Sequence, residues 1–161
     1  IVAITTPTKI HTEYQDTLNL PIENIEKMIH SCGFYRNKAK NLKLASQKII
    51  NDFNGNVPCT MEELMSIPGI GRKSANVIML EAFNNPQGIA VDTHVKRLSN
   101  RIGFSSEKEP EKIEKDLLKI FPKEYYVDAN HILVLHGRHV CKAQNPNCEN
   151  CCINNLCKSF K

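Results

Sequence analysis

Tryptophan is absent from the chain, and aromatic residues make up only 6% of it. The core must therefore be filled mainly by aliphatic side chains. Long apolar runs are missing too. Stretches such as Val77-Ile78-Met79-Leu80 fall far short of the ~20 residues that a membrane-spanning helix needs. There is no internal repeat, no low-complexity tract and no convincing alternation of apolar and polar residues of the kind that marks strands. No basic segment leading into an apolar one opens the chain, so a secretion signal is not expected.

The residues that are present point to an ordinary globular protein. The 161 residues are 41% hydrophobic and 24% charged, which excludes wholesale disorder and collagen-like architecture. A chain of this length buries roughly two thirds of its unfolded surface, enough for one domain or two small lobes. Lys and Arg total 21 against 17 Asp and Glu, a net charge of +4, which permits an anionic partner without requiring one. The seven cysteines are an odd number, and Cys141, Cys148, Cys151 and Cys157 crowd into the C-terminal stretch with Cys152 beside them. A secreted disulfide scaffold would be smaller and evenly paired. The reading is an intracellular protein whose C-terminal cysteines bind metal, with Cys32, Cys59 and Cys152 as ordinary small apolar residues.

Helical periodicity dominates and predicts an all-α fold. From Arg36 to Phe53, the apolar residues Ala39, Leu42, Ala45, Ile49, Ile50 and Phe53 share a face, with Arg36, Lys40 and Lys43 beside it. Asn54-Gly55 supplies the stop. Thr60-Met-Glu-Glu63 is a capping box that opens a helix to Ile67. After Pro68-Gly69-Ile70-Gly71, a second helix starts near Arg72 and carries Ala75, Ile78, Met79, Ala82 and Phe83. Asp92 caps a helix through Val95, Leu98 and Ile102. Further helices are expected over Glu111–Phe121 and from about Tyr125 to His139. The lobe boundary is expected in the stretch 84–88, giving residues 1–86 and 87–161.

Four motifs carry chemistry. The glycines of Pro-Gly-Ile-Gly permit unusual backbone conformations and remove side chains that would block close approach. The turn aims backbone N–H groups outward at a helix start, where a phosphate can bind without any base contact. A plain connector between two packed helices explains the turn equally well. Lys73 and Arg72 place two cations at the positive end of a helix, against its dipole. That suits bound phosphate, or a lysine favoured in its neutral, nucleophilic form. Taken alone, Lys73 fits the phosphate contact better. In Val91-Asp92-Thr93-His94, Asp92 is a good N-cap, and a cap also orients a functional carboxylate. Finally, the spacing Cys141-x6-Cys148-x2-Cys151-x5-Cys157 lacks the two short pairs usual for structural zinc. It better suits a cubane iron–sulfur cluster, with zinc left open.

Together these stretches resemble endonuclease III. They are Leu64–Asn76, Ile89–Arg97, Leu135–Cys141 and the four-cysteine spacing, in order, and the resemblance covers about Asn24 to Lys158. It implies a helix-hairpin-helix DNA glycosylase fold with the hairpin over residues 60–83, two helical lobes with a DNA cleft between them, and a [4Fe-4S] cluster on Cys141, Cys148, Cys151 and Cys157. It implies removal of oxidised pyrimidines from duplex DNA by a monomer and cleavage at abasic sites, with Lys73 as the catalytic lysine and Asp92 as the catalytic aspartate. Gly69, Ile70, Gly71 and Arg72 would contact DNA, and the cluster would hold a loop bearing Lys142 against the backbone. Gly33-Phe34-Tyr35-Arg36 resembles the wedge loop. Phe34 is larger than the aliphatic residue expected there, and packing of Phe34 into the core is the competing reading.

The N-terminus departs from the pattern. Members of the family carry a further helix and a Ser/Gln-containing motif, Ile1–Leu20 matches poorly, and the chain reads as partial. Two rival readings stand beside this one. An adenine glycosylase of the same superfamily typically lacks the lysine at the Lys73 position and carries an additional C-terminal domain. A non-catalytic DNA-binding module would use the hairpin for phosphates and the cysteines for zinc.

Overall fold

A computed structural model describes residues 10–160, and the expectation for Ile1–Lys9 lies outside them. Every regular element among the described residues is helical. In order these are α1 (Ile10–Asn19), α2 (Ile22–Met28), α3 (Tyr35–Phe53), α4 (Met61–Ser66), α5 (Arg72–Glu81), α6 (Thr93–Ile102), α7 (Pro110–Ile120) and α8 (Tyr126–His139). Short 3-10 turns cover Lys123–Tyr125 and Asn154–Leu156. The chain divides into two compact units, the first ending at Asn84 and the second beginning at Asn85. No helix among the described residues is long and apolar enough to cross a membrane.

In the first unit, α3 packs against α1 and α2, and α4 against α5. Its core gathers Ile49, Leu64, Ile67, Ala75, Ile78 and Met79. A fully buried Leu, Ile or Met side chain contributes about 1.5–3 kcal/mol. The buried residues of α3 are Ala39, Ser46 and Ile49. Leu42 was expected on that face, yet it stays 45% exposed along an open apolar groove. The helix ends where expected, with Asn54 and Gly55 both in the left-handed region.

Helices α1 and α2 were not foreseen in the sequence. In the seven residues of α2 only Ile25 is buried, too little apolar repetition to stand out as a period. Such short helices depend on packing rather than propensity, and both lie against α3.

In the second unit, α6 packs on α7 and α8 around Ile89, Val91, Val95, Leu98, Ile113, Leu117, Ala129 and Leu133. Pro110 opens α7 at its first position, where a missing N–H costs nothing. Gly103 ends α6 with φ of 103°. Gly137 allows α8 to approach α6: a Cβ there would stand 2.9 Å from His94 Cβ and 3.1 Å from Leu98 Cδ1.

Candidate functional site

The hairpin of the first unit is built by local bonds. The Thr60 hydroxyl accepts from the Glu63 N–H at 3.2 Å and donates to the Glu63 carboxylate at 2.7 Å. Glu63 thus returns to the cap hydroxyl, whereas the capping box expected from the sequence would send it to the cap N–H. Ile67 ends α4 in an extended conformation, and the Ile70 N–H closes the turn on Ile67 O at 3.0 Å.

The two glycines serve different ends. Gly69 has φ of +85°, and a Cβ on it would lie 2.9 Å from Asn41 Cβ. Gly71 caps α5 with φ of −90°, and a Cβ there would meet nothing within 4 Å. Gly69 is needed by the fold; Gly71 leaves open space in front of the helix start.

No side chain caps α5 and its first turn holds no acidic residue. A helix start without a side-chain cap or an acidic residue is one that suits an anion. Lys73 is exposed in that first turn, Arg72 and Ile70 are half-buried, and Gly69 and Gly71 are exposed. One turn further on, Ala75, Ile78 and Met79 anchor the helix in the core.

Phe34 is 89% exposed and precedes α3 with φ of 58°. The core-packing reading of Phe34 is thereby excluded. A bulky non-glycine residue in the left-handed region carries backbone strain, and such strain concentrates at functional positions. Beside it, Tyr35 lies with His30 at 4.7 Å between ring centroids and under the Arg36 guanidinium at 5.4 Å.

In the second unit, the buried residues Ile89, Ala90 and Val91 lead into Asp92. Asn130, itself buried, donates to Ala90 O at 2.9 Å and fixes that approach. Asp92 Oδ1 accepts from both His94 N–H and Val95 N–H at 2.8 Å. Both capping bonds fall on one oxygen, so Oδ2 remains for other work. Half-buried Arg97 donates to Cys141 O and to Gly137 O, the latter at 2.8 Å. It joins the Asp92 helix to the start of the cysteine segment.

Cys141, Cys148, Cys151 and Cys157 are all half-buried and line one pocket together with Ile102, His136, Val140, Pro146 and Phe160. They surround that pocket without meeting at a point. Among the described residues no group of three or more His, Cys, Asp or Glu stands close enough to hold a single metal ion. Lys142 is exposed while its carbonyl accepts from Arg101 at 2.7 Å, so the backbone is held and the side chain free to reach outward. Cys32, Cys59 and Cys152, expected as ordinary small apolar residues, are exposed.

Sequence reasoning missed Asn130, Arg97, Arg101 and His136. Arg97 and His136 lie inside stretches that were singled out, and Arg101 is a cation in the last turn of a helix. None of these positions has a spacing rule of its own, because each acts through a contact about 15 to 56 residues away.

The family profile described as HhH-GPD superfamily base excision DNA repair protein matches residues 5–123. The chain is 47% identical over 137 residues to an endonuclease III of Synechocystis sp., covering 85% of this chain and 63% of that protein. It is 45% identical over 145 residues to an endonuclease III of Bacillus subtilis, covering 89% and 66%. The chain thus spans just under two thirds of the length of these two relatives. The fold superposes on an endonuclease III trapped as a covalent intermediate with DNA, with a TM-score of 0.88, 43% identity, and coverage of 91% of this chain and 69% of that one. On this footing the chain belongs to the endonuclease III family within the HhH-GPD superfamily of base excision DNA repair proteins.

Proposed function

We propose that the chain carries the chemistry of a bifunctional DNA glycosylase and abasic-site lyase that removes oxidised pyrimidines from duplex DNA. The observation that carries this reading is the exposed Lys73 amine at the uncapped start of α5, directly after the Gly69-Ile70-Gly71 turn. The likeness to an enzyme trapped covalently on DNA supports it.

The damaged nucleotide must leave the stack before its glycosidic carbon can be reached. Lys73 Nζ then bonds to C1′ as the bond from C1′ to the base breaks and the base departs. The resulting N,O-acetal opens to an imine as the C1′–O4′ bond breaks and O4′ takes up a proton; loss of a 2′ proton follows, and the 3′ phosphate is expelled. Asp92, held by its two capping bonds, sets Oδ2 to accept a proton from the amine or to stabilise positive charge growing on the sugar. Gly69, Ile70, Gly71 and Arg72 hold the DNA phosphates through backbone N–H groups and charge. Phe34 fits a wedge between bases, since it is exposed, apolar and fixed on a strained turn. Lys142 adds a backbone phosphate contact. The reading includes action as a monomer on intracellular DNA.

The donor set of the cysteine segment fits an iron–sulfur group. Four half-buried thiols and mainly apolar neighbours surround one space, as a ligand larger than a single ion requires. Cys141, Cys148, Cys151 and Cys157 would hold a [4Fe-4S] cluster. When bound, that group supplies a structural cross-link for a segment with little helix of its own.

Borohydride trapping on a duplex with one abasic site tests the reading. A covalent adduct is expected from the chain and none from Lys73→Gln. An adduct of undiminished yield in the variant would move the nucleophile elsewhere. No adduct from the parent chain, alongside retained duplex binding, would favour a non-catalytic module.

A further inference from the structure

Two nitrogen donors outside the cysteine segment point at its thiols. Arg101, in the last turn of α6, brings Nη1 to 3.4 Å from Cys141 Sγ. The same guanidinium donates to Lys142 O at 2.7 Å and to Ala143 O at 3.0 Å. The Arg101 carbonyl in turn accepts from the Ser159 N–H at 3.0 Å. One residue therefore ties down both ends of the stretch that runs from Cys141 to Cys157. His136 on α8 places Nε2 3.5 Å from Cys151 Sγ. A ligating thiolate offers only lone pairs, so in that contact Nε2 carries the proton and donates.

An N–H bond to a thiolate draws negative charge off the sulfur. Around an iron–sulfur cluster it favours the form holding one more electron and raises the reduction potential. The guanidinium, always charged, does this more strongly than an imidazole. We propose that Arg101 and His136 are positioning residues that set the reduction potential of the iron–sulfur group held by the four cysteines, with Arg101 also closing the segment around it. The inference rests on the cluster reading above.

The test uses the full chain purified without air. Iron and acid-labile sulfide are assayed first, and the one-electron midpoint is then read against an electrode. His136→Phe keeps a ring of similar size and removes the donor. It is expected to retain iron and move the midpoint to more negative potential, while His136→Gln restores an N–H and brings the midpoint back. Arg101→Gln should move it further negative and hold iron about tenfold more weakly against a chelator, the scale on which loss of an outer hydrogen bond lowers metal affinity. Arg101→Lys should recover part of the potential without the tie to both carbonyls. Unchanged midpoints in His136→Phe and Arg101→Gln, with iron and sulfide intact, would overturn the proposal. A parent chain with zinc, or without iron and sulfide, would instead overturn the cluster reading on which it stands.

Discussion

The two units hold their reactive groups by opposite means. In the first, Lys73 stands exposed at the start of a helix that has no side-chain cap, and the turn before it is shaped by backbone conformation and short-range bonds. In the second, Asp92 is half-buried, doubly bonded to its own helix and approached by the buried residues Ile89, Ala90 and Val91, which Asn130 pins from 40 residues away. Arg97 and Arg101 extend that web to the cysteine segment. A nucleophile gains from an open approach, while a carboxylate that must keep its charge beside a cation gains from fixed orientation. Under the proposed function, the difference also separates what each unit risks on mutation: the first would lose function at an exposed atom, and the second would lose geometry through shared bonds.

The sharpest break in the comparison is Lys73→Gln. It should reduce borohydride-trapped adduct to background while duplex binding in a gel-shift assay is largely kept, because Gln keeps length and polarity but has no amine to form an imine. Thermal melting should not move, since the side chain makes no core contact. Asp92→Asn comes next. Excision should fall by about 10²–10³-fold, the scale of losing one preorganised charge. Asn caps nearly as well as Asp, so the melting temperature should change little. Normal excision with a lowered melting temperature would make Asp92 a cap and nothing more.

The helix start that carries Lys73 and the N-cap position of Asp92 were legible in the sequence because each sits in a pattern with a fixed physical cause: a turn that must open a helix, and a side chain that must cap one. The six helices from α3 to α8 were readable for the same reason, from apolar period, caps and stop signals. The capping chemistry of Thr60 was legible in kind but not in detail, since the carboxylate of Glu63 chose the hydroxyl. Helices α1 and α2 were not legible, because their order comes from α3 rather than from their own pattern. Neither Phe34's exposure nor the contacts of Asn130, Arg101 and His136 could be read, because burial and bonds across 15 or more residues are properties of the folded chain.

A third test separates the two hairpin glycines. Gly69→Ala should destabilise the chain by about 1–3 kcal/mol, because its φ of +85° and the contact with Asn41 both oppose a Cβ. Gly71→Ala, with extended backbone and open space, should cost less than about 1 kcal/mol, the scale of a changed N-cap. If Gly71 leaves room for a phosphate, its alanine variant should still weaken duplex binding. Equal melting losses for the two variants would erase the division of labour between them.

The smallest effect belongs to the surface of the second unit and asks how far its web of bonds reaches. Asp116 accepts from Lys119 at 2.9 Å and from the Ser105 hydroxyl at 2.8 Å. The Lys119 hydrogen bond first, and the Ser105 bond after it, hold the Asp116 carboxyl below its ordinary range. Ser105 in turn accepts from the Glu107 N–H, so the carboxylate steadies the loop between α6 and α7. A group whose folded-state pKa is lowered stabilises the fold above its unfolded pKa. That contribution is lost as pH falls through the folded value, here below about pH 4. Melting curves at pH 6 and pH 3 should therefore show a smaller acid loss in Asp116→Asn than in the parent chain. The difference should be slight, because the carboxylate is solvent-screened and its lysine partner exposed. An identical acid loss in both chains would mean that the web of the second unit ends at its buried residues and that the Asp116 pair is decoration on the surface.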